Sequence, residues 1–320
     1  MKILHIRNIA NVAYNLSLQQ KKMGHEVRLF EITENYTSEN TDISLNLPLK
    51  YSKKDIPRRF QIISKNLVEI TLKEKFDIFH LHDAGIFPQD IDIPLFFKRF
   101  GKVVVHWHGS KLRNNGRTFG SKFADVEIVS TPDLLDYSPD AIWIPNCIPW
   151  HGLSKVNRND DKIIIGHAPT NRFYKGTEYF LEAMDQLKKE YPNVDCLLIE
   201  NKPHQEVMQL LQTCDIVVDS VGFYDKRQVG WYGVLTNEAQ QMGIPCCTWI
   251  KPGLEPYLEE PSGIVNVTKD NLKQRLEELI RDENLRENLG RSGRKYVEKV
   301  HNNKVLCQKF LTLYKRTILK

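Results

Sequence analysis

Arg172 and Lys175 stand three residues apart in Gly166-His167-Ala168-Pro169-Thr170-Asn171-Arg172-Phe173-Tyr174-Lys175-Gly176-Thr177, a run that leaves a strand-like segment and enters a helical one. The helix dipole disfavours cations at a helix start, so a pair placed there is expected to serve a ligand. An arginine fork and a lysine point charge aimed into a cleft would hold a diphosphate. They would also stabilise the negative charge that builds on such a group as it leaves. The ordinary alternative is two surface cations near a helix start.

A second stretch, Val229-Gly230-Trp231-Tyr232-Gly233-Val234, puts glycine on both sides of an aromatic pair and lets backbone approach a ligand closely. From Val234 the spacing of Val234, Leu235, Ala239 and Met242 predicts a helix, with Gly243 as its stop and Pro245 beyond. A loop feeding a helix start seats an anion, because unpaired N–H donors and the dipole point outward there. The backbone of Tyr232, Gly233 and Val234 would cap the anion, and Glu238, about one turn in, would reach a sugar attached to it. A nucleotide sugar satisfies all of these features. Glu255, in the turn after the next strand, is a second carboxylate with context. The competing readings make Glu238 a solvated helix residue and Glu255 a plain loop carboxylate.

Two histidine pairs, His80-x-His82 and His106-x-His108, each end a predicted strand, where alternate residues share a face. Four imidazoles could assemble a zinc site, with Asp83 adding a carboxylate. Nothing outside these pairs has ligand spacing, so no metal is expected. His108, on the turn before Gly109, is expected to face the cleft and donate to substrate, with His80 and His106 packed in or beneath the sheet.

The elements that must position these residues alternate strand and helix from the start. Lys2–Arg7, then a helix marked by Val12, Leu16 and Met23, then Val27–Ile32 make a βαβ opening, which calls for a parallel sheet covered on both faces. Asn8-Ile9-Ala10-Asn11 follows the first strand, with no G-x-G-x-x-G, which argues against a dinucleotide-binding first half. Residues 33–57 are polar and read as a loose excursion. A helix resumes at Phe60, Ile63, Leu67 and Ile70, followed by strands Phe76–His82, Lys102–His106, Val126–Ser130 and Ala141–Pro145. After the linker-like Pro145–Pro149 and Lys155–Lys162 the alternation restarts. It runs from the strand Lys162–Gly166 through further helices and strands, among them a helix Val207–Leu211, to a charged helical end. The fold class is α/β, with two Rossmann-like parallel-sheet halves of about 150 residues facing a cleft.

The 320 residues are 41% hydrophobic and 27% charged, an ordinary balance for a globular protein. No apolar run approaches the roughly 20 residues that cross a bilayer, and the amino terminus lacks a signal-peptide core. The expected location is cytoplasmic. The six cysteines have no Cys-x-x-Cys spacing and read as reduced, buried thiols. Net charge is +5, and Lys50, Lys53, Lys54, Arg58 and Arg59 share eleven residues with Tyr51 and Phe60. Such a patch could rest on anionic headgroups at the inner face of a membrane, or be a solvated loop entering a helix. Nucleic acid is not an expected partner. There is no G-x-S-x-G, Walker loop or catalytic-cysteine signature.

Taken in order, these residues resemble the GT-B glycosyltransferases, in particular the retaining GT4 family. Gly233 to Pro245 is similar to the family's E-G-F-G-x-x-x-x-E-A-M-A-x-G-x-P signature, with Glu238 on the second glutamate. Arg172 and Lys175-Gly176 resemble its diphosphate-binding Arg and Lys-Gly. Val105–Gly109 is similar to its strand-end His-Gly, Pro145-Asn146 to its crossing between domains, and Glu255 to the element after the signature. Gly230 stands where the family has the first glutamate of its E-x7-E pair, and the glycine-rich loop after the first strand is absent. The resemblance implies an acceptor-side domain, 1–149, and a donor domain, 150–301, with a last helix of about 302–320 crossing back onto the first. It implies a UDP- or GDP-type nucleotide-sugar donor, a glycan or lipid-linked acceptor, retention, and no metal. Arg172 and Lys175 would hold the diphosphate, Glu238 the ribose, and His108 the sugar or acceptor side. A non-catalytic partner or glycan-binding subunit and a sugar-nucleotide epimerase are the competing expectations. Epimerisation calls for well-placed carboxylates, and Glu238 and Glu255 are the carboxylates with context here.

Overall fold

Every strand pairing among the described residues is parallel, as the alternating pattern requires. The structure is a computed structural model, which describes residues 1–33, 41–48, 50–150, 152–225, 228–259 and 261–319. It divides into Met1–Pro149 with Asn302–Lys320, the first unit, and Trp150–His301, the second. Among the described residues no helix is long and apolar enough to cross a membrane.

The first unit runs β1 (Lys2–Ile6), α1 (Val12–Lys22), β2 (Glu26–Thr33), β3 (Ile43–Leu47), α2 (Ile56–Glu74), β4 (Ile78–His82), α3 (Lys98–Phe100), β5 (Lys102–Trp107), α4 (Ser110–Asn115), β6 (Val126–Val129) and β7 (Ile142–Trp143). Its seven-stranded sheet has the order β3-β2-β1-β4-β5-β6-β7. The strands are apolar on both faces because both are covered. Leu4, Ile6, Phe79, Leu81, Val103 and Val105 meet Ile63, Leu67 and Ile70 of α2 on one face. Ile3, Ile78 and Val104 meet Leu306, Phe310, Leu311 and Tyr314 of the last helix on the other. Each such side chain, fully buried, contributes roughly 1.5–3 kcal/mol, which docks the chain's end onto the first sheet.

The second unit runs β8 (Ile163–His167), α5 (Arg172–Lys175), α6 (Thr177–Glu190), β9 (Val194–Leu198), α7 (His204–Leu211), β10 (Ile216–Val218), α8 (Val234–Gln241), β11 (Cys246–Thr248), β12 (Ile264–Asn266), α9 (Leu272–Arg281) and α10 (Glu283–Val300). The helix α11 (Asn303–Leu319) belongs to the first unit. The second sheet has the order β12-β11-β10-β8-β9. Connections leave β8 toward β9 on one side and reach β10 on the other, so the strand order reverses between β8 and β10. Ligands bind beyond the carboxyl ends of strands at such a reversal.

Three local expectations change. Part of 33–57 lies outside the described residues, but Ile43–Leu47 within it is an edge strand paired with β2. Its alternating half-buried residues were too short a pattern to separate from a loop. The stretch Lys155–Lys162 has no regular structure yet is pinned to the second unit. Lys155 N–H donates to Met242 O, and the Lys155 and Arg158 side chains reach Asp215. Helix α7 starts three residues earlier than the apolar spacing marks, at His204.

Candidate functional site

Three segments of the second unit converge at the β8/β10 reversal. The loop after β8 enters α5, whose first turn is capped by Asn171 Oδ1 accepting from Tyr174 N–H at 3.1 Å. Gly176 ends it with φ of +66°, and a Cβ there would lie 2.7 Å from Val221 O, so the position requires glycine. Val221 N–H in turn donates to Lys175 O at 3.0 Å. This lays Lys175 across the residue that follows β10, Asp219, and the two side chains form an ion pair with Asp219 fully buried. Asp219 Oδ2 also accepts from Gly233 N–H at 2.7 Å and from the Thr236 hydroxyl at 2.8 Å. Burial alone would raise the Asp219 carboxyl, but the Lys175 ammonium and these donors hold it below the usual carboxylate range.

Lys175, Gly233 and the start of α8 are thus brought together around a carboxylate that sequence reasoning missed. Gly233 N–H is spent on Asp219. The N–H groups of Val234 and Leu235 follow in the first turn, where a helix offers no internal partner. A Cβ at Gly233 would meet Asp219 Oδ2 at 3.0 Å and Lys175 Nζ at 3.2 Å, so only glycine lets the backbone lie this close. The available signal for Asp219 was its place, an acidic residue at the carboxyl end of the apolar run Ile216-Val217-Val218.

Arg172 and Glu238 are held by partners that sequence spacing could not show. The exposed Arg172 guanidinium pairs with Glu200 at 2.8 and 2.7 Å and with Glu178 at 3.2 Å, and these carboxylates stabilise its charged form. Glu238 is buried in α8, and its Oε1 lies 2.6 Å from His204 Nε2. That hydrogen bond raises the His204 pKa. Glu200 lies in the short connection between β9 and α7 and His204 opens α7, so this one segment touches both candidate ligand residues. Glu255 turns inward on its own loop, accepting from Gly253 N–H at 2.7 Å.

The aromatic pair points into the second unit. Trp231 and Tyr232 are buried, and the Tyr232 hydroxyl lies 2.8 Å from Tyr296 Oη and 3.0 Å from His301 Nε2. Tyr232 thus anchors the loop to α10, and its backbone leads into Gly233. Gly230 is buried, and a Cβ there would lie 2.6 Å from Lys251 Cβ, whose own N–H donates to Gly230 O at 3.0 Å. A side chain at 230 therefore has no room. Gly230→Glu is expected to destabilise the protein by about 1–3 kcal/mol, the range for overpacking, and to bring no gain in turnover. Urea unfolding and donor turnover measure both, and a stable, faster variant would overturn the packing argument.

In the first unit the histidines gather on one face of the sheet. Registers pair His5 with His80 and His82 with His106, and His108 follows β5 on the same side. Ile3, Ile78 and Val104 fill the amino-terminal half of this face, and five imidazoles fill the other half. His5, missed in the sequence, completes the group, and its cue was a histidine in the first strand. His5, His80, His82 and His106 have no solvent exposure. Burial lowers their pKa values, His5 to about 4 and the others well below the ordinary value, so all are neutral at pH 7.

His5, His80 and His82, and likewise His82, His106 and His108, each bring three ring nitrogens within 4.8 Å of one another, a spacing that could hold a metal ion. Two facing pairs are instead joined by hydrogen bonds, His5 Nδ1 to His82 Nε2 at 3.0 Å and His82 Nδ1 to His108 Nε2 at 2.8 Å. His108 therefore turns Nε2 inward. Its backbone N–H donates to Asp83 Oδ1 at 2.8 Å, its ring Nδ1 is buried with no hydrogen-bond partner among the described residues, and burial lowers its pKa.

Comparison with known proteins agrees with this architecture. No family model matches the chain. The capsular polysaccharide biosynthesis glycosyltransferase CapM of Staphylococcus aureus is 26% identical over 183 residues, 50% of this chain and 48% of that protein. The chain thus matches about half the length of this curated relative. The sucrose-phosphate synthase of Thermosynechococcus elongatus superposes with a TM-score of 0.71 at 14% identity, over 99% of each chain. HepE of Anabaena, solved with UDP and glucose, gives 0.68 at 11% identity, over 99% of this chain and 100% of its own. Two all-parallel α/β units with a reversal at β8/β10, and these likenesses over essentially the whole length, make the GT-B glycosyltransferase architecture the fold of this chain.

Proposed function

We propose that this chain transfers a sugar from a nucleotide-sugar donor to a glycan or lipid-linked acceptor, as a variant of the retaining GT4 type acting without a metal ion. The observation that carries the reading is the convergence of Lys175, Gly233 and the start of α8 at the β8/β10 reversal, with Glu238 one turn along. A cation and a helix N-terminus there supply the positive charge that a leaving nucleoside diphosphate needs. Arg172 exchanges Glu200 for phosphate oxygens, Glu238 exchanges His204 for the ribose, and the donor is of the UDP or GDP type.

The acceptor side of the reading is the first unit. It carries His108 and a cavity of about 760 Å³ lined by Arg7, Arg59, Lys111, Tyr51, Phe60 and Phe87 among others. The Phe60 and Phe87 rings lie 4.4 Å apart, and Arg59 sits 4.1 Å from the Tyr51 ring centre. Aromatic faces suit sugar rings, and the cations suit a phosphate-linked acceptor. Lys53, Lys54 and Arg58, sequence neighbours of the lining residues Tyr51 and Arg59, would suit anionic lipid at the inner face of a membrane.

The test is turnover and thermal shift with UDP-, GDP-, dTDP- and ADP-sugars. One donor is expected to raise the melting temperature with concentration. Arg172→Ala and Glu238→Ala are each expected to weaken its use by about ten- to a hundredfold, the worth of a charge-assisted hydrogen bond. Full turnover in both variants would sink the assignment. Phe60→Ala is expected to raise KM for the acceptor while leaving donor hydrolysis unchanged, and an unchanged acceptor KM would remove the cavity from the reading.

A further inference from the structure

The histidine face contains one continuous hydrogen-bonded run that ends at His108. From His108 Nε2 it passes to His82 Nδ1 at 2.8 Å, and from His82 Nε2 to His5 Nδ1 at 3.0 Å. His5 Nε2 then lies 2.8 Å from Gln20 Oε1 on α1. Gln20 Nε2 donates to Tyr314 Oη on α11 at 3.4 Å, and that hydroxyl lies 2.5 Å from His80 Nδ1.

The direction of every bond in this run follows from one amide. A neutral imidazole carries one N–H and one bare nitrogen. Gln20 presents its oxygen to His5, and an amide oxygen only accepts, so His5 holds its proton on Nε2. His5 Nδ1 is then bare, and the proton between it and His82 belongs to His82 Nε2. His82 Nδ1 is bare in turn, and the next proton belongs to His108 Nε2. On the other branch the Tyr314 hydroxyl accepts from Gln20 and can still accept once more, but His80 Nδ1 is the partner within reach of its own proton, and donating it there leaves His80 with its proton on Nε2. Turning the Gln20 amide over would reverse every one of these assignments.

We infer that Gln20 is a positioning residue that sets the tautomer of His108 through His5 and His82, leaving His108 Nδ1 bare. The bare Nδ1, buried and without a partner among the described residues, is a hydrogen-bond acceptor that a substrate hydroxyl reaches only if the groups covering it move, and not the donor that the sequence reading expected. The tautomer order needs no substrate, whereas its use on a sugar hydroxyl rests on the transferase reading. The role belongs to a residue remote from the reaction, on a helix with no sequence signature of its own.

The experiment is long-range 1H–15N NMR of the full chain labelled at histidine, near pH 7.5. The expected wild-type spectrum shows the Nε2–H tautomer at His5, His82, His108 and His80. An Nδ1–H tautomer at His108 would overturn the inference. Gln20→Leu is expected to replace the single tautomer of His108 by an averaged pattern, and an unchanged His108 spectrum in a folded variant would also overturn it. Gln20→Glu keeps an acceptor toward His5 but has no donor for Tyr314. It is therefore expected to leave His108 unchanged while His80 switches to Nδ1–H. A purely structural role would not move His80 alone. If Gln20→Leu does not fold, the wild-type and Gln20→Glu spectra decide. The expected tautomers in a protein that transfers no sugar would support the relay and overturn the transferase reading.

Discussion

Lys175→Ala is expected to destabilise the second unit by about 3–5 kcal/mol and to lower donor turnover by about 10²–10³-fold. The stability loss comes from Asp219. It has no solvent exposure, and its ammonium partner is the one that removal deletes. Removing one member of a buried pair leaves an uncompensated charge, for which that range is typical. At roughly 2–4 °C per kcal/mol for a unit of this size, the melting temperature should fall by about 6–20 °C. The turnover loss is separate, because it reflects one missing charge at a developing diphosphate. Lys175→Met with Asp219→Asn separates the two effects. The uncharged amide oxygen still accepts one of the bonds from Gly233 N–H or the Thr236 hydroxyl, so most of the stability should return while turnover does not. A Lys175→Ala protein with wild-type kcat/KM would remove the anion seat from the mechanism. One with wild-type melting would show that Asp219 is compensated by other means.

The second large effect is acid instability of the first unit. In the unfolded chain each histidine has an ordinary pKa near 6.5. In the fold, burial lowers His5 to about 4 and takes His80, His82 and His106 well below the ordinary value. Below pH 6.5 the unfolded chain binds protons that the folded chain refuses, so stability is complete above that pH and falls on acidification until the folded pKa values are reached. His5 alone accounts for about 3 kcal/mol across that window. Among the described residues the second unit holds one comparable group, His167, lowered to about 4 by burial. The first unit should therefore melt first as pH falls from about 6.5 toward 4. Calorimetry with limited proteolysis between pH 7.5 and 4.5 would follow it, and a flat melting profile down to pH 5 would refute the argument. His106→Leu sharpens the test. Both nitrogens of His106 are buried without a hydrogen-bond partner among the described residues. An apolar replacement should cost little stability at pH 7.5 and should make the protein less sensitive to acid.

The fold class was legible because strand and helix periodicities restart at about residue 162 and because covered parallel strands read as apolar runs. The candidate ligand residues were legible where the chemistry is local, in Arg172 and Lys175 near a helix start and in Gly233 and Glu238 at another. The partners of those residues were not. Asp219 lies 44 residues from Lys175, Glu200 28 from Arg172, and His204 34 from Glu238. No periodicity encodes such distances.

By itself, then, the sequence determined which residue types stand at strand ends and helix starts, and with them the two α/β halves. Only the tertiary structure decided what those residues face. Strand registers put five histidines on one face, and α1 and α11 brought Gln20 and Tyr314 against them, so one amide can orient a ring on another element. Packing against Lys251 leaves no room for a side chain at Gly230. The physical reason is common to both cases. Hydrophobic patterning selects faces, but hydrogen-bond direction and steric room depend on atoms that meet only once distant segments have packed.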